Sequence, residues 1–332
     1  MGSRRQVIID QDPLGPATTN LQSVALLLNA PDVDVRAIGV VTGDHWRDQQ
    51  VRHALRLLEI MGRTDVPVFP GAEMPLVSTP ATTAAWEKQH GQLIYNGAWD
   101  LARPGKWADP RHTPDLPEGN PTTRPASEAA ASAYVRLARA HPGEISLWCA
   151  GPLTNLALAC RLDPEFPTLV RELHFMGGAF APAGGDREFA HTPRREFNLR
   201  FDPEAARIVF HAAWPRVTCS PIDVSNHTRA TPERFAAIAR AGTPLARYLD
   251  QFGHRHRPMW DEVAAATWID ESLVTRCEEL YLDIDLDRGA TLGDTLSWKP
   301  GSEPGAGERR ARVQCALDDA RFYELFVQLC SR

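Results

Sequence analysis

The chain has 332 residues, 43% hydrophobic and 23% charged, with a formal net charge of −6 at pH 7, the balance of an ordinary globule with a sizeable core. Arginine is scattered and forms no basic stripe, which excludes a nucleic acid as partner. No run of about twenty apolar residues is present to span a membrane.

Val7-Ile8-Ile9 reads as a buried strand, followed by the loop Asp10-Gln11-Asp12-Pro13-Leu14-Gly15-Pro16 and a helix from Asn20. Val33 to Val41 is a second strand with the polar tip Thr42-Gly43-Asp44-His45, Arg47 to Met61 an amphipathic helix, and Val66 to Pro70 a third, short strand. This β-α-β-α-β order predicts a parallel sheet covered by helices. From Glu73 to Pro125 the pattern loosens, and loops are expected. Ser127 to Ala140 reads as an alanine-rich helix capped by Ser127. Glu144 to Cys149 is a strand leading into Gly151-Pro152-Leu153-Thr154-Asn155 and a helix, and Glu172 to Met176 a strand stopped by Gly177-Gly178. Asp202 and Pro203 open another helix as N-cap and first residue. Val217-Thr218-Cys219 is a further strand, residues 231 to 256 read helical, and Asp261 begins the apolar helix that runs to Ile269. An outer strand over Leu280 to Leu286, a hairpin partner within Gly289 to Trp298, a last strand over Arg312 to Ala316 and a last helix over Asp318 to Leu329 complete the chain. The expectation is one domain over residues 1–332, an α/β fold with an open, mostly parallel sheet, flanking helices and a small mixed C-terminal portion.

Met1-Gly2-Ser3-Arg4-Arg5 has no long apolar segment behind it, so no signal peptide is expected. The six cysteines, at 149, 160, 219, 277, 315 and 330, form no Cys-x-x-Cys pair and read as buried thiols in a reducing, cytoplasmic setting.

In a parallel sheet the strand exits converge on one edge. Asp10 and Asp12, Thr42 to Asp44, the turn at Gly151 and the loop ending in Glu196 and Asn198 would meet there, with Asp261 at the start of its helix. Two residues apart on an extended chain, Asp10 and Asp12 would share one face, aimed at one cation or polar ligand or serving as loop caps. Several carboxylates around one cavity repel unless a cation or sugar hydroxyls intervene, and hard oxygen ligands suit calcium or magnesium. Such a site fits a hydrolase that activates water on a polyhydroxylated substrate.

The words Asp10-Gln11-Asp12-Pro13, Gly151-Pro152-Leu153-Thr154-Asn155, Met176-Gly177-Gly178, Glu196-Phe197-Asn198 and Asp202-Pro203-Glu204-Ala205-Ala206, in this order, resemble the inosine/uridine-preferring nucleoside hydrolases over almost the whole chain. The resemblance implies hydrolysis of the N-glycosidic bond of ribonucleosides or a related N-ribosyl compound to ribose and free base. It implies a calcium ion held by Asp12, Asp261 and the backbone carbonyl of Ala150, and a water oriented or deprotonated by Asp12 with Asp10 beside it. Ribose would meet Asp44, Glu196 and Asn198, and His90 would lie near the base. A homodimer or homotetramer is implied, with a role in purine or pyrimidine metabolism.

Three departures weigh against a full carry-over. The family's two consecutive aspartates after Pro-Gly are missing, and Pro16, Ala17, Thr18, Thr19 and Asn20 stand in that region. One of those aspartates is a principal calcium ligand, and a neutral oxygen binds calcium less well, so calcium is expected to be weakened or lost. Trp260 precedes Asp261 where some members place a proton-donating histidine. It can stack on a base but cannot protonate it. Asp186 or Ala190 falls where the family has a further asparagine. The alternative function is a catalytically altered or inactive nucleoside- or sugar-binding homologue. No Gly-x-Ser-x-Gly elbow and no Gly-x-Gly-x-x-Gly after the first strand support a serine hydrolase or a dinucleotide enzyme.

Overall fold

β1 (Arg5–Gln11) is apolar on both faces because both are covered by helices. Val7 and Ile9 enter one hydrophobic cluster, and Ile8 enters the cluster on the opposite face. This alternation is the period-two geometry of a strand buried within a parallel sheet. The computed structural model describes residues 4–101, 109–180 and 195–332. The fold is α/β, as the order of elements predicts.

Nine strands form one sheet among the described residues, in the order β3-β2-β1-β4-β5-β6-β9-β7-β8. β1 pairs in parallel with β2 (Val33–Val40) and with β4 (Ile145–Cys149). β3 (Val68–Pro70) extends one side. β5 (Glu172–Met176) and β6 (Val217–Ser220) extend the other, again in parallel. The mixed portion is C-terminal: β7 (Val274–Ile284) runs antiparallel to both β8 (Thr295–Trp298) and β9 (Arg309–Leu317), while β9 joins β6 in parallel.

One face of the sheet carries the helices Thr19–Asn29, Arg47–Ile60, Trp260–Ile269 and Asp319–Cys330, and the other carries Ala130–Ala140, Thr154–Leu162 and Pro203–Phe210. A third cluster, of Trp46, Ala98, Trp99, Phe197 and Phe201 with Tyr95 against it, sits apart from both. No helix among the described residues is long and apolar enough to cross a membrane.

Three local expectations change. The alanine-rich helix starts at Ala130, with Ala129 as its N-cap and no side-chain cap, so Ser127 lies two residues too early to serve. The 231–256 stretch is two helices, Pro232–Ala239 and Pro244–Phe252. Gly242 breaks them with φ 62°, and Thr243 restarts the chain by accepting the Ala246 N–H at 3.1 Å. Within 73–125 a helix covers Pro80–His90, opened by a Thr79/Thr82 capping box with proline in the first turn. None of its residues is buried, which is why no apolar periodicity announces it. Of the six free cysteines, Cys277 and Cys315 are only half-buried.

Candidate active site

The exits of β1, β2 and β5 and the first turn of the Trp260–Ile269 helix surround a cavity of about 460 Å³. Its floor includes Asn20, Asp44, Glu196, Asn198 and Asp261, with Ala150 beside them. Ile94, Tyr95, Phe197 and Trp260 supply an apolar and aromatic wall, and His254 and Arg257 stand in its lining on the loop before Trp260.

Asp10 and Asp12 are not among the lining residues, and they do not share a ligand. Asp10 is fully buried and accepts hydrogen bonds from the Tyr134 hydroxyl and from Asn155 Nδ2, the latter at 2.9 Å. Burial pushes its carboxyl up to about 7, against those two hydrogen bonds. Asp12 lies just beyond the end of β1, where strand alternation no longer sets direction, and it turns toward the β2 exit. Its Oδ2 accepts the Asp44 N–H at 2.7 Å and its Oδ1 accepts from Asn20 Nδ2 at 3.2 Å. A Cβ on Gly43 would collide with Asp12 Oδ2, so glycine is needed for this approach. Burial first, then the negative charges of Asp44 and Asp261, raise the Asp12 carboxyl well above the usual range.

Asp44 is clasped from two sides. Tyr95 donates its hydroxyl to Oδ1 at 2.7 Å, and Asn20 Nδ2 donates to Oδ2 at 3.2 Å. Burial still leaves its carboxyl raised. Asp261 Oδ2 accepts from Gln11 Nε2 at 3.0 Å, and its own N–H donates to Thr19 Oγ1 at 3.3 Å. Burial, then the charges of Glu262 and Asp44, hold Asp261 well above the carboxylate range. Glu262 turns away from the cavity to the Thr19 hydroxyl, and burial pushes it up to about 7.

Glu196 is the N-cap of the Phe197–Phe201 helix and is held entirely by backbone. It accepts the N–H groups of Gly178 (3.2 Å), Asn198 (2.9 Å) and Leu199 (3.2 Å). Asn198 Nδ2 reaches the Met176 carbonyl at 3.4 Å. Trp260 is fixed by its indole N–H on Asn226 Oδ1 at 3.1 Å.

His90 is corrected by the structure. It is exposed at the end of the Pro80–His90 helix, with its ring 5.1 Å from that of Trp86, and it does not line the cavity. Helix formation carries it outward, and Ile94 and Tyr95, which follow the Gly91 stop, take the wall position instead. Asp186 and Ala190 lie outside the described residues.

Several roles were not foreseen. Gly151 to Asn155 works through its last two side chains: Asn155 holds Asp10, and Thr154 donates to Asp202 Oδ2 at 2.7 Å. Asn20 stands in the stretch where the sequence departs from the family pattern, whereas the roles of Gln11, His254 and Arg257 have no signal in the sequence. The signal available for Tyr95 was its place in a polar, aromatic stretch of an irregular segment.

The donor chemistry tests whether a calcium ion fits. Gln11 Oε1 accepts the Asp12 N–H at 2.8 Å, so its amide nitrogen must face Asp261. Asn20 Nδ2 lies 3.2 Å from both Asp12 Oδ1 and Asp44 Oδ2 and 3.5 Å from Gln11 Oε1, so its nitrogen faces two carboxylates that can only accept when ionised. Two N–H donors therefore stand among Asp12, Asp44 and Asp261, where a cation requires oxygen. Among the described residues no group of three or more His, Cys, Asp or Glu is placed to hold a metal ion. The side chains present do not fit calcium.

The inosine-uridine preferring nucleoside hydrolase model matches residues 7–324, and the chain belongs to that family. It is 33% identical over 249 residues to "Probable uridine nucleosidase 2" of Arabidopsis thaliana, covering 75% of this chain and 69% of that protein. It is 28% identical over 308 residues to the pyrimidine-specific ribonucleoside hydrolase RihB of Escherichia coli, covering 88% and 87%. The fold matches the plant nucleoside hydrolase PpNRh1 with a TM-score of 0.76 at 24% identity, over 98% of this chain and 99% of that one. It matches an inosine-guanosine nucleoside hydrolase at 0.78 and 22% identity, over 98% of each.

Proposed function

We propose that the chain hydrolyses the N-glycosidic bond of a ribonucleoside or related N-ribosyl compound, giving ribose and free base. The observation that carries this reading is the polarity of this cavity: carboxylates and amides on its floor, aromatic and apolar groups on its wall. Ribose hydroxyls suit the oxygen-rich floor of Asp44, Glu196 and Asn198. A planar base suits Tyr95, Ile94 and the anchored Trp260.

Cleavage of the C1′–N bond sends its electron pair to the base nitrogen and leaves an oxocarbenium-like ribosyl centre, which buried negative charge favours. A water oxygen then bonds to C1′ and gives up a proton, while the departing base nitrogen takes up a proton from bulk water. Gln11 occupies Asp261 Oδ2, and the other oxygen of this cavity-lining carboxylate has no hydrogen-bond partner among the described residues. We assign Asp261 as the group that takes the proton. Asp12, one layer behind, is a positioning residue that holds the Asp44 backbone, and Asp10 supports β1 from below. Arg257 places positive charge beside the departing base. His254, held below its usual value by burial and then by Arg257, is a neutral imidazole there. No step passes through a metal ion.

The test is release of reducing sugar and free base from a panel of purine and pyrimidine ribonucleosides. Turnover by the wild type should fall on the order of 10²–10⁴-fold in Asp261→Asn, the usual contribution of a general base, with nucleoside binding retained. Wild-type protein that binds a nucleoside but releases neither product would reject hydrolysis in favour of a binding role.

A further inference from the structure

We propose that the Asn20 carboxamide replaces a divalent cation at the acidic floor, so that this chain holds its site together without calcium, and that Asn20 is the residue whose exchange restores a cation site. Asn20 sits in the first turn of the Thr19–Asn29 helix. Its nitrogen lies 3.2 Å from Asp12 Oδ1 and 3.2 Å from Asp44 Oδ2. One NH₂ group thus bridges carboxylates from the exits of two adjacent strands, the geometric task of a small cation. The residue is buried, at 4% exposure, so solvent does not compete for the amide hydrogens.

Gln11 repeats the device on the third carboxylate. Its amide is locked by the Asp12 N–H on one side and donates to Asp261 on the other. Both amides point hydrogens at the oxygens that a metal would need: the Asp12 N–H holds the Gln11 carbonyl oxygen, and the acceptors Asp12, Asp44 and Gln11 Oε1 surround the Asn20 nitrogen. A calcium ion entering here would have to turn Asn20 over, losing both N–H contacts, and would gain only a neutral oxygen. Calcium affinity follows the number of charged ligands. Exchanging the Asn20 amide for a carboxylate removes the Asn20 donors and adds a carboxylate beside Asp12, Asp44 and Asp261, with the Ala150 carbonyl near the same floor. That donor set suits calcium.

The experiment uses the full chain, stripped with a chelator and desalted. Wild type, Asn20→Asp and Asn20→Ala are each titrated with calcium chloride by calorimetry, analysed for bound metal and melted with and without 1 mM calcium. Wild type and Asn20→Ala should retain no calcium and melt alike in both buffers. Asn20→Asp should bind about one calcium per chain with Kd on the order of 10⁻⁶–10⁻⁵ M and melt several degrees higher when calcium is present. An Asn20→Asp chain that folds only in calcium supports the proposal equally. Wild type holding about one calcium per chain overturns it, as does a folded Asn20→Asp that binds none. If Asn20→Asp folds in neither buffer, the wild-type titration decides the matter. These readouts are independent of turnover, so failure here leaves the hydrolase reading standing, and failure of that reading leaves this one.

Discussion

Glu196, after β5, and Asp12, after β1, are both buried carboxylates at strand exits, yet they are held by different kinds of donor. Glu196 is cradled by three backbone N–H groups. Asp12 takes one backbone N–H, from Asp44, and one side-chain amide, from Asn20. A backbone cradle survives substitution of the residues that supply it, because every non-proline residue carries the same donor. A side-chain clasp can be exchanged by a single codon. The Glu196 cradle is thus indifferent to which residues supply it, while the β1 exit depends on the identity of Asn20.

The contrast can be broken from either side. The largest effect is expected for Glu196→Ala, which orphans three N–H donors at a buried helix start. Loss of a cap and of buried hydrogen bonds should cost about 3 kcal/mol in urea unfolding, together with ribose affinity. A loss below about 0.5 kcal/mol would show that water satisfies those donors and that the cradle is not structural.

The pH dependence of stability comes next. Burial raises Asp10 and Glu262 to about 7 and Asp202 to about 6. The native state keeps protons that the unfolded chain gives up near pH 4, so this contribution is fully present below about pH 4 and is lost as pH rises through 6 to 7. Melting temperature should therefore be higher at pH 5 than at pH 7.5, and Asp202→Asn should reduce the difference. A melting temperature that rises steadily from pH 5 to 7.5 would contradict the burial of these groups.

The smallest effect is expected for Tyr95→Phe, which removes one of the two clasps on Asp44. Steady-state kinetics should show KM raised about fivefold, the worth of one hydrogen bond near 1 kcal/mol, with kcat nearly unchanged. A fall in kcat as large as that of Asp261→Asn would make Tyr95 a chemical participant.

Much of this molecule is legible in its sequence. Val7 to Ile9 announces the central strand because both sheet faces are buried, and Asp202-Pro203 announces a helix start that the structure keeps, with Asp202 Oδ1 accepting the Ala205 N–H at 3.1 Å. Glu196, Asn198, Asp44, Trp260 and Asp261 do meet at one cavity. The direction of Asp12 was not legible, because side-chain alternation ceases where β1 ends at Gln11. The roles of Asn20 and Tyr95 were not legible either, because each depends on Asp44, which is 24 and 51 residues away in the chain. The Pro80–His90 helix leaves no periodic trace, since it covers nothing.

That helix leads into the Ile94 and Tyr95 wall, so the cavity is bounded by parts of unequal tenacity. The strands whose exits carry the floor should exchange their amide hydrogens only when the whole molecule unfolds. The Pro80–His90 segment buries no residue. Its described anchors are few: Trp86 Nε1 on the Gly289 carbonyl at 2.9 Å, Arg195 over the Trp86 ring at 4.9 Å, and Glu87 Oε1 accepting from Leu93 N and Asn96 Nδ2, each at 2.9 Å. Sub-global opening takes place where apolar contacts are fewest. Hydrogens along residues 80–95 should thus exchange orders of magnitude faster than those of β1, and the Tyr95 wall can part from Asp44 while the sheet beneath it stays intact.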